Sequence, residues 1–282
     1  MHIRIENVVL EGSRDLLKDR VISALIGIPV LLFLIYIGGI PLLIFVIILA
    51  LLALFELHRL LGKMKLHVHP LLLYGSALIF PTIAFFAPAE NEESLFFAGL
   101  IIYLLMHLLL LVLAFPKYGL GNLGASCLGS CYISVLLSFL ILIRKIEPYG
   151  FQILLLVFIL TWVCDIGAYL IGTRFGRRKL CSAVSPKKTV EGALGGLASC
   201  LIASYLFHLF FPILSGKVIL LLAFTIGLVV QLGDLVESAI KRIAGVKDSG
   251  DLIPGHGGIL DRFDSILFSA PAAYFFIKLI MF

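Results

Sequence analysis

Charge is what this chain has least of. Only 14% of its 282 residues are Asp, Glu, Lys or Arg, 61% are hydrophobic, and the mean hydropathy is +1.13. A soluble domain is about 25% charged and about 45–50% apolar, because its surface must face water. A soluble globular domain is therefore excluded, as are a disordered chain and a fibrous one. Cysteine offers no framework either. Cys127, Cys131, Cys164, Cys181 and Cys200 are odd in number, form no CxxC pair, and four of them lie in apolar stretches. That argues against a disulfide scaffold or a zinc site and leaves buried free thiols. Internal repeats and low-complexity tracts are also absent, apart from the apolar runs themselves.

Those apolar runs are what the chain has in quantity. A helix needs roughly 20 mainly apolar residues to cross about 30 Å of hydrocarbon. Nine segments qualify as spans: 21–37, 40–57, 71–87, 95–115, 124–144, 151–173, 191–213, 218–236 and 264–282. The expected fold class is all-α, a polytopic integral membrane helical bundle. Gly38-Gly39 alone joins the first two spans, which predicts a tight turn. The first span lacks the small-residue cleavage site of a signal peptide. The residues before it alternate charge with Leu, Val and Ile, a pattern that suits a helix lying on the membrane surface or a solvated tail. With the N-terminus in the cytoplasm, 18 of the 22 Lys and Arg fall on the cytoplasmic side and four opposite. The positive-inside rule then predicts N-in, C-out. Three regions follow: a cytoplasmic segment 1–20, an N-terminal transmembrane region 21–150, and a C-terminal transmembrane region 151–282. The N-terminal region has short loops with little chemistry; Pro88–Ser94 reads as an ordinary acidic outer loop. Nearly all the informative polar residues lie between 160 and 265.

Three constellations stand out there. The densest runs from the eighth span into the ninth. On a helix Asp234, Glu237, Ser238 and Lys241 share one face, and Asp261, Asp264 and Ser265 share a face of the next. Joined through Arg242, Lys247, Asp248 and the Gly-rich Pro254-Gly-His256-Gly-Gly258, these two faces can oppose each other. Oxygen ligands of this kind suit Mg²⁺ or Mn²⁺, and carboxylates at membrane depth are expensive and usually functional. The second is Asp165, Tyr169 and Gly172, stacked on one face of the sixth span, with Asp165 roughly 12 Å deep. An ordinary structural bond to a neighbouring helix explains Asp165 equally well. The third is the basic loop Arg174–Thr189, which holds six cations. Ser185 reads as an N-cap and Pro186 as the first helical residue, so Lys187 and Lys188 fall in the first turn, where the macrodipole disfavours them unless an anion binds. Attraction to anionic lipid headgroups is the plain alternative.

The run Ser238-Ala-Ile-Lys241-Arg242, four residues, Lys247-Asp248, then Pro254-Gly-His256-Gly-Gly-Ile-Leu-Asp261-Arg262-Phe263-Asp264 resembles the signature of the phosphatidate cytidylyltransferases (CDP-diacylglycerol synthases). Asp165-Ile-Gly-Ala-Tyr169-Leu-Ile-Gly172 is similar to that family's intramembrane Asp/Tyr/Gly stretch, and Ser185-Pro-Lys-Lys-Thr-Val-Glu-Gly192 to its Ser-Pro-Lys-Lys-Thr segment. The resemblance is specific over about 160–270 and only topological before residue 150. It implies the reaction CTP + phosphatidate → CDP-diacylglycerol + diphosphate. It also implies a divalent metal, usually Mg²⁺ with Mn²⁺ or a second cation as variants, and a homodimer in the bacterial cytoplasmic membrane with its site facing the cytoplasm. Its partners are CTP, phosphatidate and the lipid bilayer, with no nucleic acid, and 151–282 becomes the catalytic region.

The chemistry fits these residue types. An ionised phosphate oxygen of phosphatidate attacks the α-phosphorus of CTP in line, so the obstacle is repulsion between phosphates and the remedy is cations. On this reading Asp234, Asp261 and Asp264 bind the metal. Lys187, Lys188, Lys241 and Arg242 hold phosphates, and Asp165, Tyr169, Ser185, Lys247, Asp248, Arg262 and His256 complete the site. A lateral opening among the sixth to ninth spans should admit the lipid headgroup. A CTP-dependent lipid-alcohol kinase and a cation transporter remain the competing readings. The transporter is disfavoured because the polar residues gather on one side.

Overall fold

The computed structural model describes residues 23–252 and 257–281. The surface segment expected over 1–20 and the loop residues Pro254, Gly255 and His256 lie outside the described residues. Nine helices occur among the described residues, one for each expected span. They are α1 Ser23–Ile37, α2 Gly39–Lys63, α3 Pro70–Phe86, α4 Glu92–Leu113, α5 Leu120–Arg144, α6 Gly150–Phe175, α7 Val190–Phe210, α8 Gly216–Ile243 and α9 Leu260–Met281. Seven are long and apolar enough to cross a membrane, and α1 and α3 are shorter apolar helices. The molecule is a polytopic helical membrane protein. Large apolar side chains such as Leu104, Leu105, Leu108 and Leu109 of α4 remain exposed on its flanks, where lipid rather than water is the solvent. The turn between α1 and α2 is as tight as the sequence predicts, with both Gly38 (φ +64°) and Gly39 (φ +56°) in the left-handed region.

One element departs from the all-helical expectation. Between α6 and α7 the basic loop folds into an antiparallel hairpin, β1 Lys179–Cys181 and β2 Ser185–Thr189, with Lys179 opposite Thr189 and Cys181 opposite Ser185. Ser185 is therefore not the N-cap, and Lys187 and Lys188 do not occupy a first helical turn. The cap is Thr189, whose Oγ1 accepts from the Gly192 amide at 3.1 Å. The physical reason is local. Pro186 tolerates an edge strand as well as a helix start, whereas β-branched Thr189 serves both as the last strand residue and as a cap. The Glu191 carboxylate then accepts from the amides of Arg177 and Arg178, which fixes the hairpin's entry to the first turn of α7.

Helices α6, α7, α8 and α9 pack in sequence order, and α9 also touches α6, the second half of α5, and α2. The α6–α7 crossing is unusually close. A Cβ on Gly192 would lie 2.8 Å from the Ala168 carbonyl oxygen and 3.0 Å from the Gly172 Cα. Small residues at a membrane helix interface allow such an approach and replace the missing hydrophobic drive with dense contact. The polar residues gather at two poles rather than on the one side expected from the sequence, although the carboxylate-rich cluster occupies only one of them. One pole holds the ends of α2, α6 and α8, the hairpin and the start of α9. The other holds the α1–α2 turn, the start of α4 and the end of α5.

Candidate active site

Helices α8 and α9 do oppose their carboxylate faces. Asp234, Glu237 and Lys241 of α8 and Asp261, Arg262, Asp264 and Ser265 of α9 line a cavity of about 260 Å³, joined by Asp165 of α6 and Asp248 of the α8–α9 loop. Lys241 is clamped between the two helices, paired with Glu237 and with Asp261 Oδ1 at 2.6 Å. Asp261 Oδ2 accepts from the Ser249 amide at 3.0 Å, the Ser249 hydroxyl at 3.0 Å and the Gly258 amide at 2.9 Å. Asp264, only 9% exposed, accepts from the Ser265 amide at 2.7 Å. Glu237 is 1% exposed, with Lys241 as its ion-pair partner.

Six carboxylates thus share this cavity wall with two cations, Lys241 and Arg262. Excess negative charge and an oxygen-only donor set fit a hard divalent cation. Among the described residues, no three or more His, Cys, Asp or Glu side chains converge as they stand to hold an ion. Asp261 differs most from a free ligand, because Lys241 and the Ser249 and Gly258 amides already hold it and the Ser249 hydroxyl is shared between it and Glu56.

A second cavity, of about 480 Å³, opens beside the first. Its walls are Asp165, Tyr169 and Gly172 on one face of α6, as their spacing predicts, with Lys179, Lys187 and Lys188 of the hairpin and Gln231 and Asp234 of α8. Lys188 Nζ lies 2.5 Å from Asp234 Oδ2, so one ion pair fastens the hairpin to α8. The lysines are on a strand rather than a helix, yet they face the same space as the start of α7. Gln231 donates to the carbonyls of Ala193 and Gly227.

A third recess, of about 580 Å³, is apolar and lies between α1, α2, α6 and α9. Leu31, Phe45, Phe158 and Trp162 line it, and it ends on Asp165, Asp261, Arg262 and Asp264. Of the sixth to ninth spans, among which a lateral opening is expected, only the sixth and ninth line this recess, and α1 and α2 supply the rest of its wall. Asp165 is common to all three cavities.

Three expected site residues stand apart from these walls. Ser185 pairs across the hairpin with Cys181. Arg242 Nε donates to the Val184 carbonyl at 3.2 Å and its Nη1 to Val246 at 3.4 Å, which ties the end of α8 to the hairpin turn. Lys247 is exposed on the following loop. His256 lies outside the described residues. The five cysteines are free thiols.

Sequence reasoning missed Glu56. This α2 residue is fully buried and accepts from the Ser249 hydroxyl at 2.8 Å and from the Ile259 and Leu260 amides at 2.8 and 2.9 Å. The signal was weak: Glu56 is the next-to-last residue of the second apolar span, where a carboxylate ordinarily reaches water, unlike Asp165 two turns inside the sixth. Lys179 and Gln231 carried no such mark. Glu92 also corrects the reading of an ordinary acidic loop, for it is buried against Lys145 and Tyr274.

Comparison with known proteins gives a consistent result. A model of the Cytidylyltransferase family matches residues 18–280. A protein of Bacillus subtilis named phosphatidate cytidylyltransferase is 38% identical over 271 residues, covering 93% of this chain and 98% of that one. A Staphylococcus epidermidis protein of the same name is 33% identical over 256 residues, covering 90% and 96%. A Synechocystis protein of that name is 50% identical over 138 residues, covering 48% and 46%.

Proposed function

The chain belongs to the cytidylyltransferase family, and from that premise we propose that it converts CTP and phosphatidate to CDP-diacylglycerol and diphosphate. The observation that carries this reading is the meeting of three unlike cavities at Asp165: one basic, one acidic and one apolar. A nucleotide triphosphate, a cation and a lipid tail are the three things this reaction must bring together.

Lys179, Lys187 and Lys188 would take the triphosphate, with Tyr169 and Gln231 walling the nucleotide. Arg262, where the apolar recess meets the acidic cavity, would meet the lipid phosphate. Each acyl CH₂ contributes about 0.8 kcal/mol to staying out of water, so the lipid approaches sideways through the recess while CTP arrives from the aqueous face. The attacking oxygen is already anionic near pH 7. It forms a bond to the α-phosphorus as the bond to the bridging oxygen of diphosphate breaks, and no protein base needs to take a proton. A divalent cation, Mg²⁺ with Mn²⁺ as a substitute, would be held by Asp234, Asp264 and Asp261 and would neutralise charge on the phosphates. Lys241 would keep Asp261 turned inward. The same reading makes the enzyme a homodimer in a bacterial cytoplasmic membrane. It faces the site to the cytoplasm, which the 18 of 22 basic residues on that side support.

The test is direct. Purified protein given labelled CTP and phosphatidate should form a cytidine-bearing lipid, and only with divalent metal present. Transfer of the γ-phosphate to a lipid alcohol, with no cytidine in the product, would overturn the assignment in favour of a kinase.

A further inference from the structure

We infer that Glu56, on α2 and outside the four C-terminal helices, is a positioning residue for the carboxylate site, acting through the Ser249 hydroxyl on Asp261. This rests on the reaction proposed above. The geometry is a short chain of contacts. Glu56 Oε1 accepts from the Ile259 amide at 2.8 Å, and Oε2 from the Leu260 amide at 2.9 Å and the Ser249 hydroxyl at 2.8 Å. The two amides belong to the approach and first residue of α9, where backbone donors have no intrahelical partner. Glu56 therefore stands where an N-cap side chain would, although it comes from another helix some 200 residues away in sequence.

The Ser249 contact adds something a cap does not need. The same hydroxyl oxygen lies 3.0 Å from Asp261 Oδ2. A hydroxyl has one hydrogen, so Ser249 donates to one of the two carboxylates at a time and links them by alternating between them. Asp261 in turn holds Lys241, which holds Glu237. The loop is folded directly onto Glu56, since a Cβ on Gly250 would lie 2.7 Å from its Oε1. Full burial of Glu56 keeps water from substituting for any of these donors. The catalytic unit thus extends into the region before residue 150, through one carboxylate.

Ser249→Ala separates positioning from capping, because it leaves both backbone bonds of Glu56 intact. In detergent we expect Ser249→Ala to lower kcat about tenfold with KM for CTP within about twofold, and Ser249→Thr to restore most of it. Glu56→Gln places an amide donor against donors and should lower kcat at least as far. The double variant should fall no further than Glu56→Gln alone, the mark of one shared link. Amide exchange is the second readout. Residues 249–252 and 257–262 should exchange faster in Ser249→Ala than in wild type or Ser249→Thr. Wild-type turnover in Ser249→Ala, or losses that multiply in the double variant, would overturn the inference. If Glu56→Gln does not fold, the two Ser249 variants decide. If the wild type makes no CDP-diacylglycerol, the reaction assignment fails by itself. The exchange comparison then still decides the tie, unchanged exchange in Ser249→Ala counting against it.

Discussion

At the pole away from the carboxylates, Lys145 gives its ammonium to Glu92 at 2.8 Å and to the carbonyls of Ala84 and Ala87 at 2.9 and 2.8 Å. Arg144 beside it donates to the carbonyls of Ile35 and Tyr36, and Tyr274 donates to Glu92. Both cations sit at the open carbonyl ends of helices, where the macrodipole welcomes them. At the other pole six carboxylates line one small cavity with two cations. The first pole has the larger cavity, about 840 Å³ against about 260 Å³. Volume is therefore a poor guide to chemistry in this protein. What separates the poles is whether charge is balanced within the chain or left for a ligand to balance.

That contrast can be broken by substitution, and the largest effect should fall on Asp261. Asp261→Asn keeps the size of the side chain but sets an amide donor against Lys241 or the loop donors. We expect kcat to fall on the order of a thousandfold, the scale of losing preorganised charge at a phosphoryl site. Turnover near wild type would remove Asp261 from the mechanism. Next in size is Lys188→Ala, which cuts the tie to Asp234 and a lysine of the basic cavity. A loss of about tenfold in kcat/KM for CTP in neutral detergent is expected. Unchanged kinetics there would mean that the hairpin lysines serve only the membrane surface.

Across the molecule, Glu92→Gln should leave kcat per folded molecule unchanged while lowering stability by about 1–3 kcal/mol, because Lys145 loses its buried partner. A thermal-unfolding series in detergent measures this. A fall in kcat with no fall in stability would erase the distinction between the poles. The smallest effect should come from His256→Gln. An already ionised nucleophile needs no proton acceptor, so kcat should stay within about threefold and its profile should be nearly flat from about pH 7 to 9. A loss as deep as that of Asp261→Asn would restore a general base.

The helices were legible because length and apolarity decide a membrane span almost alone. The faces of α6 and α8 were legible because 3.6-residue spacing needs no tertiary knowledge: Asp165, Tyr169 and Gly172 share a wall, as do Asp234, Glu237 and Lys241. The hairpin was not, because Ser185-Pro186 satisfies the rules for a helix start and for an edge strand equally well. Glu56 and Glu92 were hidden for a different reason. Each sits near the end of an apolar run, where a solvated carboxylate is the ordinary expectation, and only the fold brings Ser249 to one and Lys145 to the other.

The apolar recess and the basic cavity share a single residue, Asp165, and are otherwise built from different walls. In kinetic language, two substrates with separate doorways do not queue. On the proposed reaction neither would bar the other's entry, and both could be held together before any bond is made. Initial-rate lines drawn at several fixed concentrations of the second substrate should therefore intersect rather than run parallel.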